Sequence, residues 1–185
     1  MQEYFADFII RDKSERPLAV VEIKGDFESS RERASQLRRN ILMHAAVAEV
    51  PFFLFLTPSV GYLWKPNPLS DATDSLSRLP DAEFSTSEIM QHYLPEPSES
   101  PRRVHSVLEL IFFQWLSDLA AGSRARDLAG HEALAETGFL EAIRGANIIL
   151  DGWFFNRNWK DFNDPWIIDQ LHRHNCRYVE NLPMG

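Results

Sequence analysis

The chain has 185 residues and a formal net charge of −8, and 44% of its residues are hydrophobic. This composition is ordinary for a globular domain in water, and the overall acidity argues against bulk electrostatic binding to nucleic acid. The one cysteine, Cys176, excludes a disulfide framework and fits a reducing cytoplasm. The longest apolar run, Phe52–Leu56, is far too short to span a bilayer, and the first residues lack the pattern of a signal peptide. We therefore expect a cytoplasmic protein without a membrane partner.

Two strands are predicted at the start of the chain, over residues 4–10 and 17–24, with a polar loop between them. Asp7 lies in the first strand. In the second strand, Glu22 and Lys24 share a face because alternate side chains of a strand point the same way. If the strands pair antiparallel with Asp7 roughly opposite Glu22, the three charged groups converge. Burying such groups among Val, Ile and Phe is costly unless they serve one another or a metal, so the pattern indicates chemistry.

A helix is predicted next. Ser29 begins it with a capping box that Glu32 completes, and the helix continues to about Ala48. One buried face is expected from the spacing of its apolar residues, which are Ala34, Leu37, Ile41, Ala45 and Ala48. Phe52–Thr57 is predicted to be a buried strand because it is short and continuously apolar, and Tyr62–Trp64 a short strand after a turn.

The negative charge is unevenly distributed along the chain. Residues 1–50 carry eight Lys or Arg and nine Asp or Glu, a net charge of −1. Residues 51–104 carry a net charge of −3, and residues 105–185 a net charge of −4. The acidity therefore lies mostly away from the first two strands. A basic stripe follows them directly and comprises Arg31, Arg33, Arg38 and Arg39.

The composition changes after residue 65, and three regions are predicted. The first, residues 1–65, is predicted to be an α/β core. Residues 66–103 contain six prolines with many Ser and Asp, and are predicted to be a linker or irregular segment, interrupted by a short helix at Ser87–Tyr93. Residues 104–185 are predicted to be a mostly helical extension. Its expected elements are helices over Val104–Ala121 and Leu134–Arg144, a strand over Asn147–Leu150, and a helix from Pro165 to about His174.

The order of strand with Asp, strand with Glu-x-Lys, helix and buried strand resembles the PD-(D/E)XK nuclease superfamily. Ala6-Asp7 matches its first motif and Glu22-Ile23-Lys24 its second. The sequence around these motifs is similar to that of the nuclease domains of type I restriction enzymes and related host-defence proteins. The resemblance covers roughly residues 4–64. It implies a restriction-endonuclease-like α/β fold, which is a mixed sheet flanked by helices.

The resemblance also implies a Mg²⁺- or Mn²⁺-dependent hydrolysis of DNA phosphodiester bonds, in defence, repair or mobile-element biology. Asp7 and Glu22 would bind the metal through carboxylates and Ile23 through its carbonyl, since Mg²⁺ prefers oxygen ligands. Lys24 would orient or deprotonate the attacking water, or stabilise charge on the phosphate. Gln36 resembles an accessory glutamine of some branches. Together with Arg33 and Asn40 at helical spacing, it is a candidate for contacts with phosphate oxygens or with Lys24.

One departure from the superfamily pattern concerns the N-terminus. The superfamily core normally begins with a helix and a strand before the Asp strand, whereas only six residues precede Asp7. Either the chain is a shortened form, or the missing elements come from elsewhere in the chain, from a partner protein or from a second copy in a homodimer.

Three other interpretations of the charged residues stay open. The chain can be a catalytically inactive nuclease-fold module that binds nucleic acid or protein. The strands can form an edge hairpin with solvated charges, although the apolar neighbours on both strand faces argue against this. The motif can also be accidental, in an unrelated α/β domain.

Overall fold

The computed structural model describes residues 6–25, 30–44, 50–66, 78–93, 104–122 and 130–150, which all lie in a unit spanning Met1–Asp151. These residues form a mixed sheet with the strand order β5-β4-β3-β2-β1-β6, in which only β2 and β3 are parallel neighbours. The predicted α/β class and mixed sheet flanked by helices are therefore confirmed. The strands are β1 (Phe8–Arg11), β2 (Pro17–Ile23), β3 (Phe52–Leu56), β4 (Val60–Trp64), β5 (Ala82–Ser85) and β6 (Asn147–Leu150). The helices are α1 (Arg31–His44), α2 (Ser87–Tyr93), α3 (Val104–Ala121), α4 (His131–Glu136) and α5 (Phe139–Ala142).

The β1–β2 hairpin forms because two apolar strands flank a turn that fixes its own backbone. In the turn, the Asp12 carboxylate accepts hydrogen bonds from the backbone N–H groups of Ser14 at 2.8 Å and Arg16 at 3.0 Å. The predicted antiparallel pairing is confirmed, with Phe8 aligned with Val21. The hairpin therefore sets the register of the two strands that carry the charged residues.

Helix α1 covers one face of the sheet. Ser30 is its N-cap, since the Ser30 hydroxyl accepts a hydrogen bond from the backbone N–H of Arg33 at 3.2 Å. The predicted cap at Ser29 and the predicted end of the helix lie outside the described residues. The predicted apolar face is confirmed in the described part of the helix. It packs into a core cluster with Val20, Phe53, Phe55, Tyr62 and Trp64.

Helix α3 covers the opposite face of the sheet and coincides with the predicted Val104–Ala121 helix. Its Phe113 ring lies 6.1 Å from the ring of Phe8 in β1, and its Trp115 ring lies 6.0 Å from that of Phe84 in β5. All four rings are buried, and burying each such side chain contributes about 1.5–3 kcal/mol. None of the helices that the structure describes has the length and apolarity needed to cross a bilayer.

Several elements differ from the sequence-based expectation. Strand β5 lies in the segment expected to be irregular, and β6 pairs with β1, so the sheet takes strands from all three predicted regions. The helix predicted within the irregular segment is confirmed as α2. The single helix predicted over Leu134–Arg144 is wrong. The chain forms α4 and α5 there, because Gly138 adopts a left-handed φ of 79° between them. The helix predicted from Pro165 lies outside the described residues.

Candidate active site

Three predicted site residues meet where β1 begins and β2 ends. Continuing the β1–β2 register by one residue aligns Asp7 with Glu22. The Asp7 carboxylate, through Oδ2, accepts a hydrogen bond from the backbone N–H of Ile23 at 2.6 Å. Lys24 Nζ donates a hydrogen bond to Glu22 Oε1. The structure therefore brings Asp7, Glu22 and Lys24 together at one end of the hairpin, joined through the backbone of Ile23.

Glu22 is buried, whereas Asp7 and Lys24 beside it are partly exposed. Its residue surface is only 2% exposed, and it is aligned with Phe55 of β3 in the core under α1. Asp7 is half-buried and the Lys24 side chain is 39% exposed. A buried carboxylate without a cation would cost several kcal/mol, so the Lys24 ammonium stabilises it. Glu22 therefore lies in the core, while Asp7 and Lys24 are accessible to solvent.

The interpretation as an edge hairpin with solvated charges is wrong. Strand β1 is not an edge strand, because β6 pairs antiparallel with its outer side and aligns Ile149 with Ile9. Glu22 is not solvated, as its burial shows. The charges of this hairpin are therefore part of the sheet interior and its border.

The backbone of Ile23 also faces Asp7. In a strand, the N–H and the C=O of one residue point to the same side, and the Ile23 N–H points to the Asp7 carboxylate. The next residue points the other way, since the Lys24 N–H donates to the Leu56 carbonyl at 3.0 Å. The Ile23 carbonyl, the third predicted oxygen ligand, is therefore on the same side of β2 as Asp7.

Gln36 is not brought to this group. It is exposed on α1 and lines a pocket of about 280 Å³, and the rest of that lining is Glu32, Ser35, Arg39 and Leu79. The helix rotates by about 100° per residue, so Gln36 lies about 200° around the axis from Ala34, which is buried against the sheet. The predicted accessory glutamine thus lies on the outer side of α1.

Strand β6 borders the site, and its pairing with β1 is not evident from the sequence. Ile149 is aligned with Ile9, two residues from Asp7, and both isoleucines are half-buried. The available signal was the short run Asn147–Leu150, which was predicted to be a strand. Its partner strand is more than 130 residues away in the chain, so local patterns could not reveal the pairing.

The donor set is compatible with a hard divalent cation. In the part of the chain that the structure describes, no group of three or more His, Cys, Asp or Glu side chains can hold a metal ion. The candidate set is smaller and consists of the carboxylates of Asp7 and Glu22 and the carbonyl of Ile23. Mg²⁺ is often bound by one or two carboxylates together with waters and substrate phosphates. The chemistry of these oxygen donors therefore fits Mg²⁺ or Mn²⁺.

The chain was compared with protein-family models, with curated proteins and with solved structures, and it matched none of them. Its function must therefore be inferred from its own residues and their geometry.

Proposed function

We propose that this protein is a metal-dependent nuclease that hydrolyses phosphodiester bonds of DNA. The observation that carries the proposal is the hydrogen bond from the Ile23 N–H to Asp7, next to the ion pair of Lys24 with the buried Glu22. Two acids and one base from adjoining strands thus share one end of a hairpin. Two carboxylates can hold a divalent ion that activates water, and a lysine beside them can stabilise the negative charge on the phosphate. Defence, repair or mobile-element biology is the proposed setting.

Each residue has a proposed role. Asp7 and Glu22 would hold Mg²⁺ or Mn²⁺ with their carboxylates, and Ile23 would add its carbonyl oxygen. When bound, the ion would polarise the phosphate and lower the pKa of the attacking water. Lys24 is partly exposed, so its ammonium can exchange Glu22 for the attacking water or a phosphate oxygen. There it would stabilise the negative charge that develops on the phosphate.

The surroundings of β1 support the restriction-endonuclease-like fold as part of this proposal. The superfamily places a helix and a strand before the Asp-bearing strand, and here β6 pairs with the outer side of β1. Helix α3 packs against β6 and places Phe113 on Phe8. We therefore propose that α3 and β6 correspond to that helix and strand. This favours the chain itself over a partner protein or a second copy as their source.

The test of this proposal is DNA cleavage with Mg²⁺ or Mn²⁺. We expect plasmid DNA to be cut by the wild type, and cutting to fall at least about 100-fold in Asp7→Ala and Lys24→Ala. The matched control is Glu83→Gln, which removes an acid of β5 that is aligned with Tyr62 at the other edge of the sheet. Circular dichroism checks that each variant is folded. Metal-dependent cutting that survives both site substitutions would refute this assignment.

A catalytically inactive nuclease-fold module is the second candidate. The Lys24–Glu22 ion pair favours it, because the ammonium stabilises the buried carboxylate without any metal. Calorimetric titration with Mn²⁺ separates the two candidates. Binding that is lost in Asp7→Ala supports the nuclease, and absence of binding at millimolar Mn²⁺ supports the inactive module.

A further inference from the structure

Helix α1 is a positively charged element in a negatively charged protein. It contains four Arg and one Glu, which gives a net charge of +3, whereas the whole chain carries −8. Arg31 and Arg38 lie on the side of α1 that faces β4 and β5. Arg31 donates to the Pro80 carbonyl at 2.6 Å, and the Arg38 guanidinium lies 5.4 Å from the Trp64 ring centre. Arg33 and Arg39 are exposed. A polyanion would therefore be attracted to this helix more than to the rest of the chain.

The two flanks of α1 face different strands. Ser35 and Arg38 identify the flank near β4, because the Ser35 hydroxyl donates to the Arg78 carbonyl at 3.0 Å and Arg38 lies over Trp64. With about 100° of rotation per residue, Arg33 and Asn40 lie on the opposite flank. That flank is nearer to β2 and β1, which carry the candidate active site. Both residues are exposed.

A row of apolar side chains, two of them partly exposed among the described residues, lies beside this flank. The register aligns Ile149, Ile9, Val20 and Phe53 in one row on the α1 side of the sheet. Val20 and Phe53 are buried under α1, whereas Ile9 and Ile149 are only half-buried. We call the surface over Ile9 and Ile149 the β1 trough. Asp7 lies two residues from Ile9, so the trough runs directly into the site.

The direction of α1 relates the trough to the site. Strands β2 and β3 are parallel and α1 connects them, so α1 returns antiparallel to β2. The first turn of α1, with Arg33, therefore lies at the end of the sheet that carries Glu22. Asn40 lies about 10 Å further along the helix axis.

We infer that the β1 trough holds the sugar–phosphate backbone of DNA, with Arg33 and Asn40 bound to successive phosphates on its α1 side. The inference rests on the proposed function and names the surface that brings the substrate to Asp7. Arg33 suits this position because its planar guanidinium binds phosphate oxygens in pairs. Asn40 donates a neutral hydrogen bond through its amide. Half-buried isoleucines would contact the sugars on the floor of the trough.

The test measures binding without cleavage. Fluorescence anisotropy follows a short fluorescein-labelled DNA duplex with the full chain in EDTA, over a range of NaCl concentrations. We expect Arg33→Gln to weaken binding roughly tenfold and to reduce the slope of log affinity against log salt by about one. Arg33→Lys should restore the slope because it keeps the charge. Asn40→Ala should weaken binding without a change in slope.

The matched control is Arg144→Gln, which removes the same charge at the other end of the sheet. Its neighbour Gly145 packs directly against Lys13 of the β1–β2 turn, and that turn is the opposite end of β2 from Glu22. We expect this variant to bind like the wild type. Equal weakening in Arg33→Gln and Arg144→Gln, or no DNA binding by the wild type, would overturn the inference.

These experiments distinguish failure of the trough inference from failure of the proposed nuclease function. Cleavage by the wild type with no effect of Arg33→Gln on DNA binding defeats the trough alone. Binding that depends on Arg33 and Asn40, with no cleavage in Mg²⁺ or Mn²⁺, supports the trough and defeats only the nuclease activity. Thermal unfolding of each variant shows that weaker binding does not reflect loss of fold.

Discussion

The carboxylate of Asp7 accepts a hydrogen bond from the backbone N–H of Ile23 at 2.6 Å, across the open end of the β1–β2 hairpin. Ile23 stands between Glu22 and Lys24, so this bond fixes the first acid relative to the second acid and the lysine. Asp7 therefore has a structural role at the end of the strand pair as well as its proposed role in metal binding. The two roles make different demands on the side chain and can be separated.

Asp7→Asn should keep the structural role and lose the proposed metal binding. The amide oxygen of Asn can still accept the Ile23 hydrogen bond, but the negative charge is gone. We expect the free energy of unfolding in urea to change by less than about 1 kcal/mol, and calorimetry to detect no Mn²⁺ binding. Asp7→Ala should lose both, with a stability cost of about 1–3 kcal/mol for the N–H left without its acceptor. Equal stability losses in Asn and Ala would contradict a role for the hydrogen bond.

Lys24→Met should destabilise the fold at neutral pH. It removes the ammonium beside the buried carboxylate of Glu22, which costs about 1–3 kcal/mol once the 39% exposure of Lys24 is taken into account. Adding Glu22→Gln should recover part of this loss, since a neutral amide needs no cation nearby. Urea unfolding of the two single variants and the double variant gives the coupling energy. Strict additivity would show that the two side chains do not stabilise each other in solution.

Asp12 in the β1–β2 turn should make stability depend on acidic pH. The hydrogen bond from the backbone N–H of Arg16 holds the pKa of Asp12 below its ordinary value of 3.8, helped by the Arg16 side chain and Ser14. The unfolded state therefore binds more protons, so this contribution is fully present above pH 3.8 and is lost as the pH falls through the lowered value.

The variant Asp12→Asn tests this charge, because Asn keeps an acceptor for the turn. We expect the wild type to be more stable than Asp12→Asn at neutral pH, and the difference in the free energy of unfolding to shrink as the pH falls below 3.8. Glu83→Gln measured over the same pH range controls for loss of an acidic charge elsewhere. A difference that grows with acidity would have the wrong sign.

Strand β6 should be needed for the stability of β1. The Ile23 N–H points toward β1. Successive residues of a strand direct their N–H and C=O groups to opposite sides, so Val21 and its partner Phe8 direct theirs toward each other. Ile9, the next residue of β1, therefore directs its N–H and C=O toward β6. Ile149 is aligned with Ile9 and therefore donates its N–H across this pair, whereas the N–H of Ile148 points to the outer edge.

Ile149→Pro and Ile148→Pro are a matched pair. Both lose an isoleucine side chain, but only Ile149→Pro removes a donor to β1. We expect it to cost about 2–3 kcal/mol in urea unfolding and to weaken Mn²⁺ binding, with less than half that stability cost for Ile148→Pro. The reverse order of costs would contradict the β1–β6 register.

Local patterns predicted much of the sheet and the three charged residues. The hairpin is predictable because apolar runs flank a polar turn. Strand β3 is predictable because five consecutive apolar residues favour a buried strand. The alignment of Asp7 with Glu22 also depends on a shift in register between Ile10 and Arg11, which the sequence does not predict. The charges at alternate positions of β2 also predicted their convergence, since the strand period is two.

The parts that the sequence did not reveal depend on distant contacts or on orientation. Strand β5 has only four residues, Ala82–Ser85, too few for a clear period in a segment rich in proline. The pairing of β6 with β1 joins distant parts of the chain. The place of Gln36 depends on which side of α1 meets the sheet, and the helical spacing of polar residues alone does not determine that side. The break between α4 and α5 at Gly138 could be predicted from the sequence, because glycine commonly ends a helix.

The order in which the strands are synthesised has a consequence for the newly made protein. Residues 8–11 are synthesised before residues 147–150, which form the strand that pairs with their outer side. Until then the hairpin presents an open row of N–H and C=O groups, which other chains can pair with. Nascent chains halted before that point should therefore self-associate and should lack the strand pairing that borders the candidate active site.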